Sequence, residues 1–149
     1  LHELRTRRMA HRALVDAHIL VNPRISVSEG HNIAERARNR VLQSHPAVMN
    51  VLVHVDPEED TEQDTSVRSL PERSVLMQAL EPLLEGLPRP ERITFHYLGG
   101  KVEAEVFLPH DGMDASVTLA DAEKRVADRL AGNPYFSAIS LNLLVRPAG

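Results

Sequence analysis

Cysteine is absent from the chain, which excludes disulfides, thiolate metal sites and a cysteine nucleophile. Tryptophan is also absent and aromatics total 3%, too few for base-stacking platforms or an aromatic cage. A basic excess is missing too: 17 Lys and Arg stand against 21 Asp and Glu, for a net charge of -4. Nothing there grips a phosphate backbone, so no nucleic-acid partner is expected. No run approaches the roughly 18 to 20 consecutive apolar residues of a membrane helix. Leu1-His2-Glu3-Leu4-Arg5-Thr6-Arg7-Arg8 has no apolar stretch behind its charges and does not read as a signal peptide. The chain opens on Leu, not Met, which suggests a piece of a longer polypeptide.

What remains is an ordinary globular composition: 149 residues, 42% apolar and 26% charged, enough to bury a core in one domain or two small ones. The one biased count is eight histidines. Imidazoles serve as metal ligands or as surface groups, and their placement decides between the two.

Ala13 to Val21 alternates as a half-buried strand, with Val15, Ala17, Ile19 and Val21 on one face and Asp16, His18 and Leu20 on the other. Asn22-Pro23 ends it. Ser26-Val27-Ser28-Glu29 is a capping box, and the helix it opens carries Val27, Ala34, Ala37 and Val41 at helical spacing, stopping before Pro46. Val48 to Val55 is a second alternating strand, with Leu52, His54 and Asp56 opposite Val51, Val53 and Val55. Glu58 to Ser66 is acidic and aperiodic, the composition of a linker.

The same grammar then returns. Ser69-Leu70-Pro71-Glu72 reads as a second capping box, before a helix with Leu76, Ala79, Leu80, Leu83 and Leu84 inward, bent at Pro82 and stopped at Gly86. Ile93 to Leu98 and Lys101 to Leu108 are strands joined by a Gly99-Gly100 hairpin. Thr118 to Ala131 is a helix and Tyr135 to Val145 a last strand. Val15-Asp16-Ala17-His18-Ile19 resembles Val102-Glu103-Ala104-Glu105-Val106, and Ser26-Val27 resembles Ser116-Val117. Leu52-Val53-His54-Val55-Asp56-Pro57 resembles Asn142-Leu143-Leu144-Val145-Arg146-Pro147. The expected fold is therefore α+β, a ferredoxin-like split βαβ sandwich in two tandem copies. Its expected parts are residues 1–57, a linker over 58–70, and a second copy over 71–149.

The two-residue period puts His54 and Asp56 on one side of their strand, and His18 opposite its own strand's valines. Neighbouring strands would project all three from one sheet face, with His31 one turn into the first helix. Three or four imidazoles and a carboxylate suit Zn²⁺ and similar ions. The competing reading is a set of surface histidines, and His11, His45, His96 and His110 are expected to be just that. At the matching places the second copy has Glu105, Asp121, Leu144 and Arg146, which cannot rebuild a cation site. With no glycine-rich phosphate loop, no GxSxG and no consistently placed carboxylate pair, an enzyme is not expected.

His2-Glu3-Leu4-Arg5-Thr6-Arg7, Asp16-Ala17-His18-Ile19, Ser28-Glu29-Gly30-His31-Asn32-Ile33-Ala34 and Val53-His54-Val55-Asp56-Pro57 together resemble the cytosolic C-terminal domain of the cation diffusion facilitator family, proton-coupled exporters of divalent metals. The spacings resemble those of its zinc-transporting branch. The resemblance implies a metallochaperone-like fold, a V-shaped homodimer and a binuclear metal site near the dimer interface. It implies that His2 and His18 hold one ion, His31 and His54 the other, and that Asp56 bridges them. It further implies a cytoplasmic domain working with the transmembrane part of the same transporter, expected in a bacterial inner membrane. Zn²⁺ is the expected ion, with Co²⁺, Cd²⁺, Ni²⁺, Cu²⁺, Fe²⁺ and Mn²⁺ compatible with His/Asp ligands. Because histidine must be neutral to ligate, affinity should drop as pH falls through roughly 6.5. The other function weighed is a structural tandem ferredoxin-like module, for dimerisation or small-ligand binding, with no metal role. Residues 58–149 lie outside the resemblance.

Overall fold

A computed structural model describes residues 3–58, 70–112 and 117–145. The chain divides into two compact units, Leu1–Glu62 and Gln63–Gly149. Each carries a three-stranded sheet with helix packed on it, the ferredoxin-like split βαβ arrangement. Among the described residues no helix is long and apolar enough to cross a membrane.

In the first unit, β1 (Glu3–Met9) and β2 (Arg12–Leu20) form an antiparallel hairpin, α1 (Val27–Ser44) crosses over, and β3 (Val48–Asp56) returns parallel to β2. The crossover helix is what a parallel return requires. Ser26 caps α1 as its motif predicts, Oγ accepting the Glu29 amide at 3.1 Å. Gly30 is the buried residue of α1, and its Cα faces Val55. Val15, Ala17 and Val51 are the buried apolar side chains on the sheet.

The second unit repeats this and adds to it. A short helix, α2 (Arg73–Leu80), continues as a 3₁₀ turn over Glu81–Leu84 before β4 (Arg92–Leu98), β5 (Lys101–Pro109), α3 (Leu119–Leu130) and β6 (Phe136–Leu144). The sheet order is β4-β5-β6, antiparallel then parallel, as in the first unit. Leu76, Leu80, Leu83 and Leu84 join Val102, Ala104, Val106 and Leu108 of β5 in one core with Ala122 and Val126 of α3. The corresponding sheet face of the first unit, by contrast, lines a groove of about 410 Å³ between Leu4, Val15, Val41 and Val51.

Two details of the second unit differ from expectation. Its first helix starts at Arg73 with Glu72 as N-cap, making no side-chain cap bond, so Leu70 and Pro71 of the expected capping box precede the helix. Ser69, the expected cap, lies outside the described residues, as does Ser116. Pro82 turns the bend into a change of helix type, since its ring lacks the N–H for the i→i−4 ladder and crowds the preceding turn. Thr118 is the cap of α3, with a reciprocal capping box to Asp121.

The duplication is visible at a level the sequence matches did not reach. Both parallel pairs carry the same irregularity at the same place. Ala13 and Leu14 face Val48 and Asn50, skipping Met49; Val102 and Glu103 face Phe136 and Ala138, skipping Ser137. An extra residue in a parallel ladder is rare, so its recurrence fixes the correspondence of the copies. His18 then corresponds to Phe107, His54 to Asn142 and Asp56 to Leu144. The helix caps pair Ser26 with Thr118, hence His31 with Glu123. These replace Glu105, Leu144, Arg146 and Asp121, the matches expected from sequence. A strand of alternating valines looks the same when slid by two residues, and only hairpin and bulge break that degeneracy.

Candidate metal centre

The site is built on the open face of the first sheet, the face turned away from α1. Register pairs Glu3 with His18 on β1 and β2, and His18 with His54 on β2 and β3, so these three residues form one row across the sheet. Leu20 and Asp56 form the next row. Side chains directly across a ladder lie on the same face, so topology alone gathers Glu3, His18, His54 and Asp56.

Within that row the two imidazoles stack, ring centroids 4.6 Å apart and planes 16° from parallel. His18 is half-buried, and its Nδ1 lies 2.9 Å from Asp56 Oδ2. An ionised carboxylate only accepts hydrogen bonds, so Nδ1 carries the proton and donates it. The other ring nitrogen, Nε2, faces Glu3 Oε2 at 3.7 Å. The other oxygen of Glu3 is held by the exposed Arg5 guanidinium. A carboxylate that fixes a histidine's tautomer and aims its second nitrogen outward is the arrangement that commonly backs metal-ligating histidines. The donor chemistry, imidazole nitrogen and carboxylate oxygen without sulfur, fits Zn²⁺ and its borderline neighbours. Among the described residues, no three His, Asp or Glu side chains are gathered tightly enough to enclose an ion as they stand.

The expected ligands are thus only partly brought together. His18, His54 and Asp56 share the face. His31 does not: it is exposed on α1 and lines a pocket of about 420 Å³ with Ile25, Val53 and Val55, on the helix side of the sheet. His2 lies outside the described residues. Glu3 carries no signal of its own in the sequence, because Glu3–Met9 lacks the alternation that marks a strand. The signal that finds it is the hairpin count: a two-residue turn at Ala10-His11 sets residue 3 opposite residue 18. Of the histidines expected at the surface, His11, His45 and His110 are exposed. His96 is not, its side chain being 11% exposed with Nε2 3.4 Å from Glu105.

The second unit shows what this face looks like without such groups. Arg92, Phe107, Asn142 and Leu144 occupy the places of Glu3, His18, His54 and Asp56. The Arg92 guanidinium sits 3.8 Å over the Phe107 ring, a cation–π contact where the first unit pairs a carboxylate with an imidazole.

Residues 1–58 match the family described as cation efflux protein, cytoplasmic domain. Metal tolerance protein C1 of Arabidopsis thaliana is 41% identical over 56 residues, covering 38% of this chain and 12% of that protein. Metal tolerance protein 2 of Oryza sativa subsp. japonica is 39% identical over 54 residues, 36% of this chain and 14% of that protein. The chain thus spans about an eighth of the length of these curated relatives. Neither is bacterial, which leaves the expected bacterial inner membrane without support. The matched segment, the sheet that it builds and the imidazole–carboxylate face on that sheet coincide. Residues 1–58 are thus the part of this chain that is similar to the cytoplasmic domain of cation efflux proteins.

Proposed function

We propose that residues 1–58 act as the regulatory and dimerisation domain of a proton-coupled divalent-cation efflux transporter of zinc type. In this reading His2, His18, His31, His54 and Asp56 bind the metal, the domain forms a homodimer, and it serves a transmembrane part of the same transporter. The observation that carries the reading is the His18–Asp56 contact at 2.9 Å beside the stacked His54, on an open sheet face of the segment similar to cation efflux domains. It is an oriented donor set of imidazole nitrogen and carboxylate oxygen.

His31 lies on the other side of the sheet from His54, so the two meet at an ion only when a second chain supplies one of them. That makes coordination and dimerisation the same event. Without metal, the arms of the dimer present carboxylates to each other and gain little by approach. A dication removes that repulsion and adds ligand bonds. The state that completes its coordination is stabilised by RT ln(1 + [L]/Kd), about 2.7 kcal/mol at a hundredfold excess over Kd, enough to shift a balanced hinge almost fully. Residues 71–149 are a second copy that keeps the scaffold and has replaced the donors, with a structural role.

The test is a calorimetric titration of Zn²⁺ into the chelator-stripped 149-residue chain, alongside Asp56→Ala, with sedimentation velocity before and after metal. Saturable binding near two ions per chain, lost in the variant and coupled to dimer formation, is the expected result. One ion per chain demotes Asp56 from bridge to simple ligand. No saturable binding overturns the metal reading and leaves a structural tandem module.

A further inference from the structure

The net charge of -4 conceals a separation of charge along the first unit. We infer that the hairpin end of this unit, where Arg7, Arg8, Arg12 and Arg40 stand around the exposed Met9 and Met49, docks on a bilayer surface of anionic lipid headgroups.

Topology makes the pole. β1 and β2 meet at the Ala10-His11 turn, α1 runs back from the far end of β2, and β3 starts again beside the turn. There the Ala13 amide donates to the Ala47 carbonyl at 2.9 Å. Residues 7–14 and 40–50 are thereby brought to one end of the sheet. Between them they carry Arg7, Arg8, Arg12, Arg40, His11 and His45, and no Asp or Glu. The acidic residues of the described unit lie elsewhere. Glu3 and Asp56 are at the far ends of their strands, Glu58 follows β3, Glu29 is in the first turn of α1, and Asp16 and Glu35 lie between.

The charges at this end are left to act outward. Arg7, Arg12 and Arg40 are exposed and, among the described residues, make no ion pair. Arg8 Nε donates to the Ala10 carbonyl at 3.0 Å and braces the turn at its left-handed residue. The other cations nearby are spent differently: Arg5 is held by Glu3, and Arg38 faces Glu35 at 4.0 Å. Like charges left unneutralised concentrate anions over their surface.

The methionines give the class of anion. Met9 is 50% exposed beside the turn, and Met49, the residue skipped by the β2–β3 ladder, is 46% exposed at the same end. Apolar, flexible side chains among arginines fit the headgroup–acyl boundary, where guanidinium groups meet phosphates and the thioethers enter the acyl edge. A nucleic acid would use the arginines but not the methionines, and residues 7–14 and 40–50 contain no aromatic ring for a base to stack on.

The internal copy shows that the scaffold does not require this cluster. Hairpin and cap alignment put His96, Tyr97, Lys101 and Gly132 at the places of Arg7, Arg8, Arg12 and Arg40. Lys101 alone keeps a Lys or Arg there, and its Nζ donates to the Pro134 carbonyl at 2.8 Å.

The experiment is cosedimentation of the 149-residue chain with vesicles of phosphatidylcholine alone, or of phosphatidylcholine with about one-third phosphatidylserine, at low and high salt. Chelator is present throughout, so the result is independent of metal binding. Binding to the anionic vesicles only, lost at high salt, is expected. An arginine near such a surface contributes about fivefold in affinity, so Arg7→Glu/Arg12→Glu/Arg40→Glu should weaken binding by roughly a hundredfold or more. The same reversal at the exposed Arg89, Lys124 and Arg125 of the second unit should change it little. The chain has no tryptophan, so Met9→Trp reports on the tip alone, and its emission should shift to the blue only with anionic vesicles. No binding to anionic vesicles, equal loss in the two triple variants, or binding without the blue shift overturns the inference. Binding of polyglutamate without binding of vesicles also overturns it and assigns the arginines to an acidic protein segment. Circular dichroism checks that the variants fold, and the salt dependence is read on the parent chain without any of them.

Discussion

His18 Nδ1 and Asp56 Oδ2 meet at 2.9 Å across adjacent parallel strands, and this contact decides which nitrogen of His18 faces outward. The relation is diagonal: His18 is in register with His54, and Asp56 is two residues further along β3 on the same face. One carboxylate thus orients an imidazole that is itself stacked on a second imidazole.

From that contact follows the behaviour of Asp56→Asn. The amide keeps the shape but loses the charge that orients His18, and under the proposed metal-binding function Zn²⁺ affinity should fall by roughly 10- to 100-fold. Chelator competition at fixed pH measures it. The fold should survive, because the second unit carries Leu144 at the same place.

The two hairpins invite an exchange. Ala10 holds a φ of 54° in the β1–β2 turn, where the β4–β5 turn has Gly99 at the same angle. A Cβ is strained in this left-handed region, so Ala10→Gly should stabilise the first unit by roughly 1 kcal/mol. Slower hydrogen exchange of the β1 and β2 amides is the readout.

Gly30 offers the reverse exchange. It lies in the first turn of α1, four residues after the cap, as the fully buried Ala122 does in α3. A Cβ there would meet Val55 Cγ1 at 3.5 Å and Ile25 Cδ1 at 3.8 Å, ordinary contacts. Gly30→Ala should therefore gain up to about 1 kcal/mol of helix stability. A loss, seen as a lower urea midpoint for α1, would show that the helix packs more closely on β3 than these distances allow.

Leu76 of α2 has no exposed surface in the second core. Truncating it removes buried methyl groups and leaves a cavity among β5 and α3, at a cost of about 2–5 kcal/mol. Urea denaturation of Leu76→Ala should show the second unit unfolding earlier, with Zn²⁺ affinity of the first unit unchanged.

Asp121 supplies a pH dependence with a definite sign. The Thr118 side-chain hydrogen bond, and then the Thr118 amide, hold its carboxyl below the ordinary 3.8. A group whose folded value is depressed stabilises the fold above its unfolded value and loses that contribution as pH falls through the folded one. Protection of the α3 amides should therefore drop below about pH 4 in the parent chain. In Asp121→Asn it should start lower at neutral pH and change little on acidification.

Much of the architecture was legible in the chain. The strands at Val15, Val51 and Val106 announce themselves by alternation, the helix after Ser26 by its cap, and the later one by the spacing of Leu119, Ala122, Val126 and Leu130. Gly99-Gly100 marks its own turn. The first strand is not legible, because Glu3–Met9 is nearly all polar and exposed on both faces and so has no period to read. The offset between the copies is not legible for a related reason, since sliding one valine strand by two residues conserves every inward position. Of the site, His18, His54 and Asp56 could be read as one face, whereas His31 could not be assigned a side. It stands at the edge of a helical stripe, where a small rotation decides between sheet face and solvent.

The sequence by itself determined which residues alternate, where the first helix begins, and that His18, His54 and Asp56 stand opposite the valines of their strands. These are local matters, settled by side-chain period, cap chemistry and residue type. Only the tertiary structure decided that Glu3 stands beside His18, that Asp56 governs the His18 tautomer, and that Arg92 and Phe107 take their places in the copy. Those relations depend on strand register across a sheet, set by a hairpin turn and a shared bulge far from the residues they align.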